Sequence, residues 1–195
     1  METFVTIERA LTIAQQTPLQ SSTEWVTLHQ AHNRILAEDL TSKVNDPPFD
    51  NSAMDGWAVR STDEIRVEVG VTAAGTPPLE IRLGEAIRIM TGAPIPEGAD
   101  AIVMIEDGLQ GKAHTNFIRR CGENLRQGDI ALFTNQVMTP AAISLAATMG
   151  HATIPVCKKL RVAVISTGDE LIPPGDELNE GQIYESNSYG ICALL

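Results

Sequence analysis

The spacing of apolar residues changes character along the chain. Near the N-terminus, apolar residues recur at intervals of three and four over 7–14. This spacing predicts a helix that starts near Thr6 and ends at 17–18. A short strand is predicted over 24–28. A second short helix is then expected over 28–40, because its apolar residues also fall on one side.

Between about residues 46 and 124 the apolar period becomes two. Val67, Val69 and Val71 alternate with Glu68 and Gly70, and short apolar runs recur further along this segment with turn residues between them. Alternation of this kind is typical of β-strands that are buried on one face. The segment therefore predicts a small β barrel or sandwich and not a parallel sheet.

The last third returns to helical and then to α/β patterning. Thr139 and Pro140 suit the N-cap and the first helical position, and Gly150 suits the position just after the helix. The almost continuous apolar run 160–166 predicts a buried strand of the parallel kind. A short helix, capped by the two residues before it, is expected to begin at Tyr189.

These segments predict an α+β chain of three domains. A discontinuous mixed helical domain comprises 1–45 and 125–157, and a β domain comprises 46–124. Residues 158–195 begin an α/β domain. A buried parallel strand needs a second parallel strand beside it, and no further strand is visible in this last segment. We therefore expect the third domain to be incomplete.

Composition narrows the classes of function. The 195 residues carry 14 Lys and Arg against 25 Asp and Glu, a net charge of −11. This charge disfavours nucleic acid and anionic membranes as partners. No apolar run approaches the roughly 20 residues of a membrane helix, and no secretory signal precedes the first helix. The three cysteines are far apart and form no zinc motif, which indicates reduced thiols in a cytoplasmic protein.

Four polar, turn-rich stretches are candidates for chemistry: 49–57, 90–100, 118–129 and 166–171. The first and last bring carboxylates that suit a metal ion or a transferable proton. The second offers a hydroxyl and backbone N–H groups to an oxyanion, and the third places three arginines within an acidic chain. A purely structural turn, or an arginine face paired with acids, remains the alternative in each case. Together they favour a phosphate-bearing ligand bridged by a divalent cation.

Five stretches taken in order resemble the molybdopterin molybdenumtransferase family, which comprises MoeA and the C-terminal domain of gephyrin. They are PPFDNSAMDGWAV, IRIMTGAPIPEGADAIV, IRRCGEN, TPAAISLAATMG and VAVISTGDEL. The resemblance implies insertion of molybdate into adenylylated molybdopterin with release of AMP, assisted by Mg²⁺. It also implies a homodimer with its site in a cleft between subunits, and the molybdopterin adenylyltransferase as a partner.

The resemblance also assigns roles to the positions that match the family motifs. The implied catalytic residues are Asp55, Thr91, Glu170 and Asn124. The implied substrate-binding residues are Asp50, Asn51, Ser52, Gly92, Arg119, Arg120, Thr167 and Gly168. The implied Mg²⁺ ligands are Asp55, Asp169 and Glu170. Asp55 and Glu170 are expected to position the ion or move protons, and Thr91 to donate to a molybdate or phosphate oxygen.

Two departures from the family pattern bear on activity. Asn124 stands where the family usually has Asp, which removes a negative charge and adds two donors. Reduced turnover is therefore expected. The resemblance also covers only the N-terminal portion of the family, so little or no activity is expected from these 195 residues alone. The alternative function is a non-catalytic binding or dimerisation module of the same family, similar to the scaffold role of gephyrin.

Overall fold

The computed structural model describes residues 5–16 and 22–195, and most of its elements are strands. Its helices are α1 (Ile7–Gln16), α2 (Pro140–Thr148) and α3 (Asn187–Leu194). Its strands are β1 (Thr23–Thr27), β2 (Leu40–Thr41), β3 (Asn51–Ser52), β4 (Gly56–Val59), β5 (Val67–Thr72), β6 (Glu85–Ile89), β7 (Ala101–Met104), β8 (Ala113–His114), β9 (Ile118–Arg119), β10 (Ile130–Leu132), β11 (Thr153–Cys157), β12 (Leu171–Ile172) and β13 (Ile183–Tyr184).

The described residues form two compact units. The larger unit is Ser22–Cys157, and the smaller unit consists of α1 and Lys158–Leu195. The predicted start of α1 is confirmed, whereas its predicted end at 17–18 lies outside the described residues. The division of the chain into three domains stays a prediction.

One hydrophobic core of the larger unit forms where β1 and β11 pair antiparallel beside α2. Its buried residues are Val26, Ala31, Leu36, Leu40, Leu132, Met138, Ala142, Ala146, Met149, Ile154 and Val156. The predicted boundaries of α2 are confirmed. The Thr139 hydroxyl accepts the Ala142 N–H at 3.2 Å, Pro140 begins the helix, and Gly150 follows it with a φ of 84°.

The helix predicted over 28–40 is wrong. Only a single 3₁₀ turn forms, at Leu28–Gln30. Asn33 then takes a left-handed φ of 59°, which ends any helical run. The backbone N–H of Leu36 donates to Gln136, and that of Ala37 donates to Pro155. These long-range partners take the hydrogen bonds that a helix would have made within the segment.

A five-stranded sheet in the order β5-β6-β4-β7-β8 occupies the middle of the larger unit. The pairs β4–β6, β4–β7 and β7–β8 are antiparallel and β5–β6 is parallel, which agrees with the expectation that this segment does not form a parallel sheet. Closure into a barrel stays a prediction. The β5 strand forms as predicted, but the expected burial of its valines is wrong, since Val67, Val69 and Val71 are 61%, 52% and 58% exposed.

In the smaller unit, the strand predicted over 160–166 is absent, and Leu160, Val162 and Ile165 are exposed. No described residue provides a backbone ladder for this segment, and a strand exists only through such pairing. The parallel pair in this unit is instead the short β12–β13 contact. Helix α3 begins two residues earlier than predicted.

No helix in the described part of the chain combines the length and the apolar character that crossing a membrane requires.

Candidate active site

Two loops of the larger unit meet beside the five-stranded sheet. The first joins β3 to β4 and carries Asp55, and the second follows β6 and carries Thr91. Backbone hydrogen bonds join the loops, from Gly92 N–H to Ser52 at 2.8 Å and from Ser52 N–H to Ala93 at 3.0 Å. Gly92 adopts a φ of 80°, a conformation that glycine takes without strain. The backbone therefore fixes the two predicted motifs against each other.

Asp55 and Thr91 form the central polar contact between these loops. The Thr91 backbone N–H and its hydroxyl both donate to Asp55 Oδ1, at 2.7 and 2.8 Å. The N–H first, and then the hydroxyl, lower the pKa of Asp55 below its ordinary value. Oδ2 accepts no hydrogen bond from any described residue. Asp55 therefore presents an ionised carboxylate with one free oxygen.

This geometry changes the role expected for Thr91. Its single hydroxyl proton is committed to Asp55, so it cannot at the same time donate to a molybdate or phosphate oxygen. The hydroxyl oxygen still has lone pairs that can accept a hydrogen bond. In this geometry Thr91 holds the Asp55 carboxylate in place.

Asn51 and Ser52 are buried within the first loop. The Ser52 hydroxyl donates to the Met54 carbonyl at 2.6 Å, and the Asn51 amide donates to the Phe49 carbonyl at 3.4 Å. Both side chains therefore hold their own loop in shape. Their assignment to substrate binding stays a prediction.

The two arginines of the third motif are paired with carboxylates. Arg119 donates to Glu123 at 2.7 Å, and Arg120 donates to Asp50 at 2.6 Å. Asp50 also accepts the Cys121 backbone N–H at 2.8 Å, and this contact is the main cause that lowers its pKa. Both guanidinium groups are partly exposed, so each retains N–H donors that a ligand can reach.

Asn124 connects this arginine cluster to the chain before the first loop. Its amide N–H donates to Asp46 Oδ2 at 2.8 Å, and its oxygen accepts from Arg119 at 3.1 Å. An aspartate here would keep the acceptor but would face Asp46 with a second carboxylate. The Asn124 amide can therefore donate a hydrogen bond to Asp46 without placing a second negative charge beside it.

In the smaller unit, the motif 166–171 forms a turn before β12. A Cβ added to Gly168 would lie 2.6 Å from a Glu170 carboxylate oxygen, so that carboxylate folds closely over the glycine backbone. A pocket of about 250 Å³ lies in this unit, lined by Ser166, Gly168, Leu171, Pro173, Glu185, Ser188 and Tyr189. Of the predicted site residues only Gly168 lines it. A larger space of about 810 Å³ near the chain end contains no predicted site residue.

Glu185 is the main polar anchor of the 250 Å³ pocket. It accepts hydrogen bonds from the Ser188 hydroxyl, from the Ser188 N–H at 2.7 Å and from the Ser166 hydroxyl at 2.8 Å. These bonds, led by the one from the Ser188 hydroxyl, lower the pKa of Glu185. The carboxylate caps α3 and ties the 166–171 turn to it.

The described ranges 5–16 and 22–195 contain no group of three or more His, Cys, Asp or Glu side chains placed to hold a metal ion. Asp55 belongs to the larger unit, and Asp169 and Glu170 belong to the smaller. Of the predicted Mg²⁺ ligands, the larger unit thus contains one carboxylate and the smaller unit contains two.

Several site residues were missed by the sequence reasoning. Glu185 comes just before α3, and an acidic residue next to the start of a predicted helix was available as a signal. Glu123 lies four residues after Arg119, so its pairing also had a local signal, whereas Asp46 had none because its partner Asn124 is 78 residues away. Arg88 is the fourth site residue that was missed. It stands directly opposite Trp57 on the neighbouring strand, and its charge also lowers the pKa of Asp55.

Comparison with known proteins gives consistent matches. Residues 5–150 match the family model of the MoeA N-terminal region, domains I and II. A molybdopterin molybdenumtransferase of Haemophilus influenzae is 41% identical, with 98% of this chain and 52% of that protein covered. Molybdopterin molybdenumtransferase 2 of Mycobacterium tuberculosis is 42% identical, with 87% and 47% covered.

Solved structures match as well. The crystal structure of a molybdopterin biosynthesis MoeA protein from Pyrococcus horikosii superposes with a TM-score of 0.80 at 32% identity, covering 97% of this chain and 53% of that one. The chain spans about half the length of the curated relatives that it matches.

Proposed function

The chain belongs to the MoeA family, and from this premise we propose that it acts in molybdenum cofactor biosynthesis, in the transfer of molybdenum from molybdate to adenylylated molybdopterin with release of AMP. The observation that carries the proposal is the Asp55–Thr91 contact, which joins two family motifs into one polar site. The relatives that match are named molybdopterin molybdenumtransferases.

Asp55 positions the metal ion or moves a proton through its free Oδ2. Its lowered pKa favours the ionised form, which binds a cation well but is a weaker base. Thr91 orients the carboxylate through two hydrogen bonds to Oδ1. Arg119 and Arg120 stabilise the anionic substrate through the N–H groups that Glu123 and Asp50 leave free.

Mg²⁺ fits these residues as an ion held mostly by water and substrate oxygens. Mg²⁺ in phosphate chemistry commonly takes only one or two protein carboxylates. Within the larger unit Asp55 would hold such an ion, and within the smaller unit Asp169 and Glu170 would. Bound there, the ion would supply charge stabilisation to phosphate oxygens.

The remaining parts of the proposal concern assembly and location. We propose a cytoplasmic homodimer that receives its pterin from the molybdopterin adenylyltransferase. The free cysteines support a reducing compartment. We further propose that these 195 residues alone turn over little or no substrate, since the relatives are about twice as long.

A chimera tests the proposed activity. Residues 1–195 replace the matching part of the Haemophilus influenzae relative, which is 41% identical. AMP release from adenylylated molybdopterin is measured with and without molybdate. We expect molybdate-dependent release by the chimera, and a loss of about a hundredfold in its Asp55→Asn form.

The isolated 195-residue chain is assayed beside the chimera and is expected to release little AMP. A folded chimera that releases no AMP would contradict the transferase function. If that chimera still dimerises, the non-catalytic module becomes the better description.

A further inference from the structure

Arg88 is a cation without a hydrogen-bonded partner among residues 5–16 and 22–195. It lies on β6, and its guanidinium carbon stands 4.7 Å from the centroid of the Trp57 ring. Its Nε is buried and has no acceptor. Stacking on Trp57, and not hydrogen bonding, holds it in place.

Trp57 accounts for the absence of a partner. The nearby carboxylate Glu68 accepts the Trp57 indole N–H at 2.6 Å, so this acid is bound to the ring and not to the guanidinium. A guanidinium that stacks on an aromatic face keeps its N–H groups at the edge. The Trp57–Glu68 pair therefore fixes Arg88 and leaves its terminal N–H groups available.

Arg88 also lies next to the Asp55–Thr91 contact. Trp57 and Arg88 are paired residues on β4 and β6, and Asp55 directly precedes β4, close enough for the Arg88 charge to act on its carboxylate. Thr91 follows β6 three residues after Arg88. The cation and the carboxylate are therefore neighbours at one end of these two strands.

We propose that Arg88 is an oxyanion-binding residue of this site, positioned by Trp57, which takes a tetrahedral oxyanion next to Asp55. The assignment of that oxyanion to the substrate rests on the proposed function. Phosphate and molybdate share the required chemistry, with oxygens that accept hydrogen bonds from a guanidinium.

Binding to the 195-residue chain tests the inference without turnover. Inorganic phosphate, AMP and molybdate are titrated separately at constant ionic strength by calorimetry. We expect at least one to bind, and Arg88→Gln to weaken that binding about tenfold or more. Arg88→Lys keeps the positive charge but loses the planar set of guanidinium N–H donors, so an intermediate loss of affinity is expected. Phosphate and AMP binding without molybdate binding assigns the site to the phosphate group, and the reverse assigns it to molybdate.

Arg82→Gln is the matched control, since it removes the same charge from an exposed residue just before β6. It is expected to change binding less than twofold. Thermal unfolding verifies that each variant is folded. In a Trp25→Phe background Trp57 is the single tryptophan, and its fluorescence should change on anion binding in the wild-type site but not in Arg88→Gln.

Absence of binding by all three anions, or equal binding by Arg88→Gln and the parent, would overturn the inference. These results are independent of the chimera. A chimera without AMP release, together with Arg88-dependent anion binding, rejects the transferase function and retains the site. An active chimera whose rate and anion affinity are unchanged by Arg88→Gln supports the transferase function and rejects the Arg88 site.

Discussion

Thr91 donates two hydrogen bonds to a single oxygen of Asp55, one from its backbone N–H at 2.7 Å and one from its hydroxyl at 2.8 Å. The contact spans 36 residues of sequence and joins two loops that the backbone has already brought together. It leaves the second carboxylate oxygen free and uses the only proton of the hydroxyl. The pair thus determines which atoms of the site can donate and which can accept.

Replacement of Thr91 by Val should raise the pKa of Asp55 toward its ordinary value, because one of two hydrogen bonds to the charged form is lost. The pKa is lowered in the folded protein, so the contact stabilises the fold above the ordinary carboxyl pKa. That contribution is lost as the pH falls through the lowered pKa. A ¹³C NMR titration of the Asp55 carboxyl measures the midpoint. Thr91→Ser keeps the hydroxyl and should keep the wild-type midpoint, and an unmoved midpoint in Thr91→Val would refute the role of the hydroxyl.

Asn124→Asp should destabilise the protein at pH 7 by about 1 kcal/mol, because the donor to Asp46 is replaced by a like charge. Urea unfolding at pH 7 measures the loss.

The exchanged pair, Asp46→Asn with Asn124→Asp, is the control for this prediction. It reverses donor and acceptor and gives Arg119 a carboxylate, so most of the lost stability should return. A double variant no more stable than Asn124→Asp would show that the hydrogen bond is not the cause.

Asp50→Asn should lower the free energy of unfolding at pH 7 by about 1 kcal/mol or less, since its contacts with Cys121 and Arg120 are partly exposed. The pKa of Asp50 is lowered from 3.8 in the folded protein. Its contribution is therefore complete well above pH 3.8 and declines as the pH falls through the lowered pKa. Chemical unfolding at several pH values measures the difference from wild type. Glu64→Gln, at an exposed position elsewhere in the larger unit, is the matched control for the loss of one negative charge. A difference for Asp50→Asn that stays constant into acid would contradict the assignment.

Gly56→Ala should be strongly destabilising, by roughly 3 kcal/mol, because its Cβ would lie 1.9 Å from the Val103 carbonyl oxygen on the neighbouring strand. The obstacle is backbone, so β4 and β7 would have to separate. Gly70→Ala is the matched control on β5, where nothing lies within 4 Å, and its effect should stay within about 0.5 kcal/mol. Urea midpoints compare the two, and similar values would contradict the close approach of β4 to β7.

Local sequence was enough where local contacts decide the structure. Helix α2 was predictable because its ends are set by local residues. Thr139 and Pro140 begin the helix, and Gly150 ends it. The same holds for Ser52 and Asn51, whose side chains bond to backbone carbonyls two residues away. Segment 28–40 was misread as helical because Leu36 and Ala37 bond to residues about a hundred positions away.

The site shows the same division. The sequence by itself determined which residues carry chemistry, since the motifs containing Asp55 and Thr91 can be identified from the order of residues alone. Only the tertiary structure decided that the Thr91 hydroxyl donates to Asp55, that Asn124 donates to Asp46, and that Arg88 stacks on Trp57 without a hydrogen bond to a carboxylate. Hydrogen-bond and stacking partners depend on strand register and loop position. Those follow from long-range pairing of the whole chain and are not readable from the spacing of residues within one segment.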